Sequence, residues 1–327
     1  MSTGGPELPP IHFVSRDAER WRAAASEMTS RHDLVHCGIA LHGAVNWVFQ
    51  AYLVFRDRDF DVRLSSELPR GGIAVIHSDE LAVRRYRLDS FVVAIRADRA
   101  FTDLCDLQIV QNVRCVESKK DSFLEHWSQP GLVPRDFSRG DEIRRVGFIG
   151  QRRNLAQAFR DGAFEEKLAR LGIEFVIRDS EMWDYRELDL ILAVRDGRPA
   201  FLDAKPPSKL TNAWLGECPA VLGRESAFEN LRRSELDFAR GDSLETALES
   251  IARLQEDPAL YRAMIENGRT RAEAYSDERQ AMRWEEFFRG PMHEGYQRWC
   301  RDSFTRRVLR FGGRAFRARV VGRRYER

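Results

Sequence analysis

The segment from Lys205 to Glu225 holds the residues whose types and spacing are best suited to bind a charged ligand. Two prolines stiffen the loop before Ser208, which is predicted to cap a short helix over 208–215 that ends at a glycine. The first turn of a helix offers unpaired N–H groups and the positive end of the helix dipole, and Lys209 and Lys205 add two ammonium groups there. Glu225, at the start of the next predicted helix, can accept hydrogen bonds from two hydroxyls of a sugar or ribose. The group fits a nucleoside diphosphate that carries a hexose.

The alternative interpretation of this segment is a capped surface helix with solvated lysines and a helix-capping glutamate. The choice of lysine bears on it, because the chain has five lysines among its 53 basic residues and the rest are arginines. An interchangeable surface cation would more often be arginine in such a chain. Two of the five lysines lie four residues apart in this one segment, which favours the ligand-binding interpretation.

The elements that must position these residues alternate between strands and helices, and the pattern restarts after a Pro- and Gly-rich break at 130–140. Short apolar runs are typical of buried parallel strands, and amphipathic stretches between them predict helices. The strands are predicted at 60–64, 73–76, 91–95, 108–110, 146–150, 174–178, 188–194 and 220–222; the helices at 15–30, 45–56, 155–171, 208–215 and 225–234, with further helix starts at Ser243 and Asp257. Parallel β-α units in two sets predict two Rossmann-like domains facing across a cleft, with ligands at the carboxyl ends of the strands.

Several segments, in the right order, resemble the GT-B glycosyltransferases, specifically the "glycosyl transferases group 1" type of bacterial surface-polysaccharide enzymes. The resemblance covers about residues 31–290 and is most specific in the segment from Lys205 to Glu225. The other matching segments are Val146 to Asn154, Asp189 to Asp196 and Leu254 to Tyr275 in the C-terminal half, and Leu41 to Asn46, Phe60 to Val62 and Trp127 to Leu132 in the N-terminal half. The resemblance implies an acceptor-side domain at 1–138, a donor domain at 139–285 and a basic tail at 286–327.

By this resemblance, a nucleotide-diphosphate sugar would bind in the C-terminal half and its acceptor in the N-terminal half. The implied donor-binding residues are Gly150, Arg153, Asn154, Arg195, Lys205, Ser208, Lys209, Asn212 and Glu225, and the implied acceptor-side residues are His42, Gly43 and Asn46. One departure concerns stereochemistry: retaining members often carry two glutamates eight positions apart, and Thr211 and Asn212 occupy the place of the one inside the helix. Glu217 has the spacing from Glu225 but follows the helix-ending glycine, so retention and inversion both stay open.

Catalysis would consist mainly of stabilising the charge that develops on the nucleoside diphosphate as it leaves, and Lys205 is assigned to that role. An inverting enzyme also needs a base on the acceptor side. His77 is the first candidate because it ends the predicted strand 73–76, followed by Asp79 and His42. The alternative for His77 is a hydrogen-bonded histidine at a strand end.

We predict no metal and no other cofactor. The sequence Asp57-Arg58-Asp59 has the form of a metal-binding DxD, but it lies at a helix end before a strand, where a solvated turn is expected. His32 and His36 are spaced like a pair of metal ligands, yet no third ligand is evident.

Charge is concentrated at the C-terminus. Residues 298–327 hold eleven arginines against two acidic residues, a net charge of +9, which leaves −7 for the rest of a chain whose total is +2. Phe304, Val308, Phe311 and Ala315 recur at helical spacing between arginines, which predicts a basic amphipathic helix suited to an anionic membrane surface. The alternatives are a final helix packed on the N-terminal domain and a disordered Arg-rich end. Nucleic acid is not an expected partner, because aromatic residues that stack on bases are sparse there.

Composition supports a globular protein: of 327 residues, 43% are apolar and 32% charged. The sequence contains no apolar run long enough to span a membrane and no leader-like start, and its five cysteines are scattered. We therefore expect a cytoplasmic protein, with the tail on the inner face of the cell membrane as a further possibility. The resulting hypothesis is a glycosyltransferase that moves a hexose from a nucleotide-diphosphate sugar to a glycan or lipid-linked acceptor. A GT-B-shaped binding protein without turnover and a sugar-nucleotide epimerase are the alternatives.

Overall fold

The computed structural model describes residues 8–99 and 102–325, and for residues 319–325 it describes the backbone alone. The chain divides into two compact units. The N-terminal unit consists of the chain up to Trp127 together with the chain from Gln280 onward, and the C-terminal unit is Ser128–Arg279. This division differs from the predicted boundaries at 138 and 285, because aromatic residues on both sides of the C-terminal unit belong to one core: Trp127 and Trp284 stack with ring centroids 6.0 Å apart.

The N-terminal unit is built on a six-stranded parallel sheet in the order β2-β1-β3-β4-β5-β6. Its central strands are apolar on both faces, as expected when helices cover both sides of a parallel sheet. The strands are β1 (Ile11–Val14), β2 (Val62–Ser65), β3 (Ile73–His77), β4 (Phe91–Ala97), β5 (Leu107–Val110) and β6 (Asp121–Phe123).

The C-terminal unit is built on a five-stranded parallel sheet in the order β11-β10-β9-β7-β8. The chain leaves the central strands β7, β9 and β10 at one edge of this sheet, which is the carboxyl edge. The strands are β7 (Arg145–Ile149), β8 (Glu174–Arg178), β9 (Leu190–Ala193), β10 (Ala220–Leu222) and β11 (Ala239–Arg240).

Helices and short helical turns connect the strands of both units. The α-helices are α1 (Ala18–Ala25), α2 (Gln50–Arg56), α3 (Ala163–Arg170), α4 (Pro199–Leu202), α5 (Ser208–Leu215), α6 (Ser226–Leu231), α7 (Leu244–Glu256), α8 (Pro258–Ala272), α9 (Asp277–Phe287), α10 (His293–Arg301) and α11 (Phe304–Tyr325). Two helix starts agree with their predicted caps: Ser243 accepts from the N–H of Thr246 before α7, and Asp257 accepts from the N–H of Leu260 before α8. None of the helices in the described part of the chain combines the length and apolar character needed to cross a membrane.

Two features of the N-terminal unit are not evident from the sequence pattern. Strand β1 was not predicted, because its four residues are too short a run for periodicity to identify. The apolar run from Val35 to Leu41 begins at the last residue of a 3-10 turn (Arg31–Val35) and forms no strand. A capping box between Ser30 and Asp33 starts this turn and directs the chain away from extended structure.

Two features of the C-terminal unit differ from the sequence prediction. The helix predicted over 155–171 is two 3-10 turns followed by α3, which begins only after Gly162 in a left-handed conformation at φ 86°. Ser208 does not cap α5. Pro207 occupies the cap position, which makes Ser208 the first helical residue, and no side chain caps the helix.

Candidate functional site

Five of the sequence-predicted donor residues lie at or just beyond the carboxyl edge of the C-terminal sheet. Gly150 follows β7, Arg195 lies two residues beyond β9, and Glu225 lies three residues beyond β10. Lys209 is the second residue of α5, and Lys205 lies three residues before that helix. We call these five residues the carboxyl-edge cluster. The structure brings them together as predicted, because parallel strands end at a common edge.

Gly150 gives the cluster an open backbone beside a lysine. Its φ of +142° is a conformation that residues with a side chain rarely adopt, and its N–H donates to the carbonyl of Arg178 at 2.8 Å. A Cβ at this position would lie 3.4 Å from Nζ of Lys209. Glycine is therefore required here for the backbone conformation and leaves room in front of the lysine.

Glu225 is a buried carboxylate that is only half satisfied. It is 1% exposed, and its Oε2 accepts a hydrogen bond from Arg195 at 2.5 Å. Its Oε1 is buried and has no hydrogen-bond partner. Burial raises the pKa of Glu225 above its ordinary value, while Arg195 and the two lysines of the cluster act in the opposite direction. Glu225 occupies the cap position of α6, but its side chain makes no capping hydrogen bond, which argues against the helix-capping interpretation.

Lys209 is a cation in a desolvated position. Burial, together with repulsion from Arg195, lowers the pKa of Lys209 to about 7, and Glu225 acts in the opposite direction. Its Nζ lies 6.0 Å from the ring centroid of Phe148. No carboxylate in the described part of the chain forms an ion pair with it within 4.0 Å. An arriving anion would supply the opposite charge that this ammonium group lacks.

The start of α5 adds backbone donors next to these side chains. The N–H groups of Leu210 and Thr211 both donate to the carbonyl of Pro207. The first two N–H groups of the helix, those of Ser208 and Lys209, have no acceptor within the helix. Nζ of Lys205 lies 4.1 Å from the ring centroid of Phe201, so an aromatic face holds this ammonium near the cluster.

Three other predicted donor residues have different surroundings. Arg153 and Asn154 lie exposed on the 3-10 turn after Gly150, and no described contact joins them to the cluster. Asn212 is buried on α5, where its Oδ1 accepts a hydrogen bond from the N–H of Gln129 at 3.1 Å. That bond ties the entry of the chain into this unit to α5, so the carbonyl oxygen of Asn212 serves the fold.

In the N-terminal unit, His77 ends β3 and is 2% exposed. Its Nδ1 accepts from the N–H of Asp79 at 3.2 Å, as in the alternative of a hydrogen-bonded histidine at a strand end. Its Nε2 is buried without a partner. Burial lowers the pKa of His77, with Asp79 opposing, so the ring is neutral near pH 7. Asp79 itself accepts from Nε of Arg99 at 2.8 Å.

The predicted acceptor-side segment lies beside this histidine. A Cβ on Gly43 would lie 2.6 Å from Nε2 of His77, so only glycine fits between the loop and the ring. Asn46 donates its N–H to the carbonyl of His42, and its buried Oδ1 has no hydrogen-bond partner. His42 is exposed. Gly43 and His77 therefore lie against each other, although no strand precedes Gly43.

Two residues of the site region were missed by sequence reasoning. Phe201 carries Lys205 on its ring face, and the signal was an aromatic residue four positions before the lysine. Gly223 lies so close to the end of β9 that a Cβ there would be 3.1 Å from Cγ1 of Val194. A glycine directly after a buried strand is a signal of close backbone approach.

The described side chains include no group of three or more His, Cys, Asp or Glu residues arranged to hold a metal ion. Asp57 pairs with Arg56 at 3.0 Å at the end of α2.

Comparison with known proteins gives matches in structure only. No family model matches the sequence, and no curated protein matches it. Solved structures with a similar fold include sucrose-phosphate synthase from Thermosynechococcus elongatus (10% identity, TM-score 0.56, 88% of this chain and 100% of that one) and a glycosyltransferase from Rickettsia africae (9% identity, TM-score 0.51, 91% and 100%). Anabaena HepE in complex with UDP and glucose is also similar (10% identity, TM-score 0.50, 86% and 99%).

These matches, with the two parallel-sheet units, identify the GT-B glycosyltransferase fold. The predicted fold class and the resemblance to GT-B glycosyltransferases are thus confirmed. Against the longer chain of a TarM variant from S. aureus, this chain spans 55% of that protein's length.

Proposed function

We propose that the chain is a GT-B glycosyltransferase that transfers a hexose from a nucleotide-diphosphate sugar to a glycan or lipid-linked acceptor. The observation that carries the proposal is the carboxyl-edge cluster, in which the buried Oε1 of Glu225 has no partner and Lys209 has no carboxylate partner among the described residues. The ligands of Anabaena HepE, UDP and glucose, belong to the chemical class that such a cluster fits.

Each part of the cluster takes a part of the donor in this proposal. The diphosphate lies against Lys209, Lys205 and the free N–H groups of α5, and the open backbone of Gly150 allows its approach. A sugar or ribose hydroxyl donates to Oε1 of Glu225, which satisfies that oxygen. Arg195 orients the glutamate. Arg153 and Asn154, exposed after Gly150, stay proposed contacts of the phosphates.

Leaving-group stabilisation would be the chief catalytic contribution of these residues. Charge develops on the nucleoside diphosphate as the glycosidic bond breaks, and preorganised cations in a desolvated site stabilise such charge strongly. Lys205 and Lys209 supply these cations. Because the pKa of Lys209 is about 7, part of this lysine is neutral at neutral pH in the free protein, and a bound diphosphate would favour its protonated form.

His77 stays the proposed acceptor-side base, and the structure defines what that role requires. With Nδ1 accepting from a backbone N–H, the neutral ring carries its proton on Nε2. A base at Nε2 therefore requires the other tautomer, in which the bond to the N–H of Asp79 is lost. We expect His77→Gln to lower turnover with little change in nucleotide affinity, whereas a structural role alone would lower the melting temperature instead.

The first test is a thermal-shift panel of UDP, GDP, dTDP, CMP and ADP on the wild type, Lys209→Ala and the control Lys167→Ala, which changes an exposed lysine on α3. A ligand at about 100 times its Kd stabilises by about 2.7 kcal/mol, a shift of about 2–4 °C or more at this size. We expect one diphosphate to shift the wild type and the control but not Lys209→Ala. No shift with any of these nucleotides would overturn the proposal.

The matching sugar donor then separates transfer from the two alternatives. A transferase releases nucleoside diphosphate in proportion to glycosylated acceptor. An epimerase converts the donor without an acceptor, and a binding protein leaves it unchanged. Conversion without acceptor, or binding without conversion across a panel of glycan and lipid-linked acceptors, would contradict the transferase assignment.

A further inference from the structure

Helix α11 is attached to the N-terminal unit through its arginines. Arg314 is buried and donates to Asp106 at 2.9 Å, and Arg317 pairs with Asp103 at 2.6 Å. Three residues before Arg314, Phe311 stacks on Tyr86 with ring centroids 4.8 Å apart. The basic side of the helix is therefore the side that packs on the protein, as in the alternative of a final helix packed on the N-terminal domain.

The opposite side of α11 presents apolar side chains to solvent. Phe304, Leu309 and Phe316 are 67%, 71% and 69% exposed, and Val308 is 40% exposed. We call Leu309 and Phe316 the outer face of α11, because Phe304 lies about 140° from Leu309 around the helix. Leu309 and Phe316 are seven residues apart, so they lie on the same side of the helix. A cluster of large exposed apolar side chains on one helix marks an interaction surface. This stripe is not the one predicted from the sequence, because Phe311 is used for packing.

Positive charge flanks the outer face. Helix α11 contains no acidic residue between Phe304 and Tyr325, and residues 298–327 carry a net charge of +9. Asp103 and Asp106 of the N-terminal unit balance part of this charge through Arg317 and Arg314, and Asp302 pairs with Arg306 and Arg310. The side chains of Arg306 and Arg317 are 72% and 56% exposed next to this apolar surface, which complements anionic headgroups above acyl chains.

We propose that the outer face of α11 docks on an anionic lipid bilayer, with the helix lying in the plane of the interface. Leu309 and Phe316 enter the boundary between headgroups and acyl chains, and Arg306 and Arg317 contact phosphates. This inference rests on the N-terminal unit and is independent of the proposed donor site.

The test is flotation of the full chain with phosphatidylcholine vesicles, with and without phosphatidylglycerol. The double variant Leu309→Ser/Phe316→Ser removes both apolar side chains of the outer face, and Leu171→Ser, an exposed leucine of the C-terminal unit, is the matched control. We expect the wild type and the control to float with anionic vesicles. The vesicle partition coefficient of the double variant should fall by at least about tenfold, because two large apolar side chains no longer enter the membrane. Its melting temperature and nucleotide shift should match those of the wild type.

Three results would overturn the proposal. One is no flotation of the wild type, and another is equal flotation of the double variant. The third is a wild-type dimer in sedimentation equilibrium that the double variant dissolves, which would assign the outer face to a second copy. Should the double variant fail to fold, Phe316→Trp gives an independent readout: brominated lipids must quench its emission beyond the quenching of wild type.

Discussion

The C-terminal unit buries two carboxylates at opposite ends of the strand β9, and their surroundings differ. Asp189, just before the strand, is fully buried and accepts hydrogen bonds from the side chains of Arg135 and Arg139 and from the N–H groups of Arg144 and Arg145. Although burial alone raises its pKa, these bonds together lower it below the ordinary value. Both oxygens of the Asp189 carboxylate thus accept hydrogen bonds from groups of the same unit, and two arginines supply the opposite charge.

Glu225, near the other end, accepts one hydrogen bond and leaves Oε1 without a partner. Burial dominates here, and the pKa of Glu225 is raised. The difference shows how a structural charge and a binding charge can be told apart. The complete hydrogen bonds of Asp189 fit a role in the fold, and we propose that the incomplete hydrogen bonds of Glu225 leave an acceptor for a ligand.

The largest expected effect comes from breaking the complete network. Asp189→Asn removes a charge that two arginines and two backbone N–H groups share, which leaves the buried Arg135 and the half-buried Arg139 without an opposite charge. We expect a loss of about 3–5 kcal/mol in the free energy of unfolding, measured by urea denaturation. The control is Glu142→Gln, which removes an exposed partner of Arg144 and should change stability by less than about 0.5 kcal/mol. Equal effects of the two substitutions would contradict the comparison.

The same network predicts an acid dependence. Because the folded pKa of Asp189 is lowered, its contribution is present above its unfolded pKa of about 4 and is lost as pH falls through the folded pKa. The stability difference between wild type and Asp189→Asn should therefore be constant near neutral pH and shrink below about pH 4. A difference that stays constant to lower pH would contradict the role assigned to this carboxylate.

A substitution at Gly150 tests the proposed binding role of the residues near Glu225. Gly150→Ala strains a backbone at φ +142° and places a methyl group in front of Lys209, so we expect a loss of about 1–3 kcal/mol in stability together with weaker nucleotide binding. Gly172→Ala is the control, because Gly172 also has a positive φ but open space around it. It should lose stability while keeping affinity, and loss of affinity in both variants would show that strain alone is responsible.

Glu225→Gln separates stability from binding. The substitution removes a buried charge of raised pKa, so we expect stability to change by less than about 1 kcal/mol, with any gain largest at alkaline pH, where the wild-type carboxylate is ionised. Affinity for the sugar donor should fall by about tenfold, the equivalent of one charge-assisted hydrogen bond. A variant with unchanged donor affinity and strongly reduced stability would place Glu225 with Asp189 among the structural charges.

Much of the fold was predictable because buried parallel strands are short apolar runs. Strand β8 and helix α5 have the predicted bounds, β3 is one residue longer at its C-terminal end, and β7 begins and ends one residue earlier than predicted. The four-residue β1 was not predictable from its own pattern, since its place in the sheet is set by pairing with β2 and β3, which are distant in sequence.

The candidate site was predictable in composition and not in detail. Local spacing placed Lys205, Lys209 and Glu225 at one edge, but it could not show which polar atoms other parts of the chain would satisfy. Gln129 occupies Oδ1 of Asn212 from 83 positions away, whereas Oε1 of Glu225 is left without a partner. The tail shows the same limit: helical periodicity predicted its amphipathic character, and the distant Asp103 and Asp106 decided which side faces the protein.

The central claim, that Lys209 receives the diphosphate of a nucleotide sugar, is tested most directly by calorimetric titration in buffers of different ionisation enthalpy. With a pKa of about 7, Lys209 is largely neutral at pH 8 in the free protein, and a bound diphosphate favours its charged form. The wild type should therefore take up a substantial fraction of a proton, up to about one, for each nucleotide diphosphate bound at pH 8, and Lys209→Met should bind more weakly without that uptake. Equal proton uptake and equal affinity in the two proteins, or no binding by the wild type, would contradict the account.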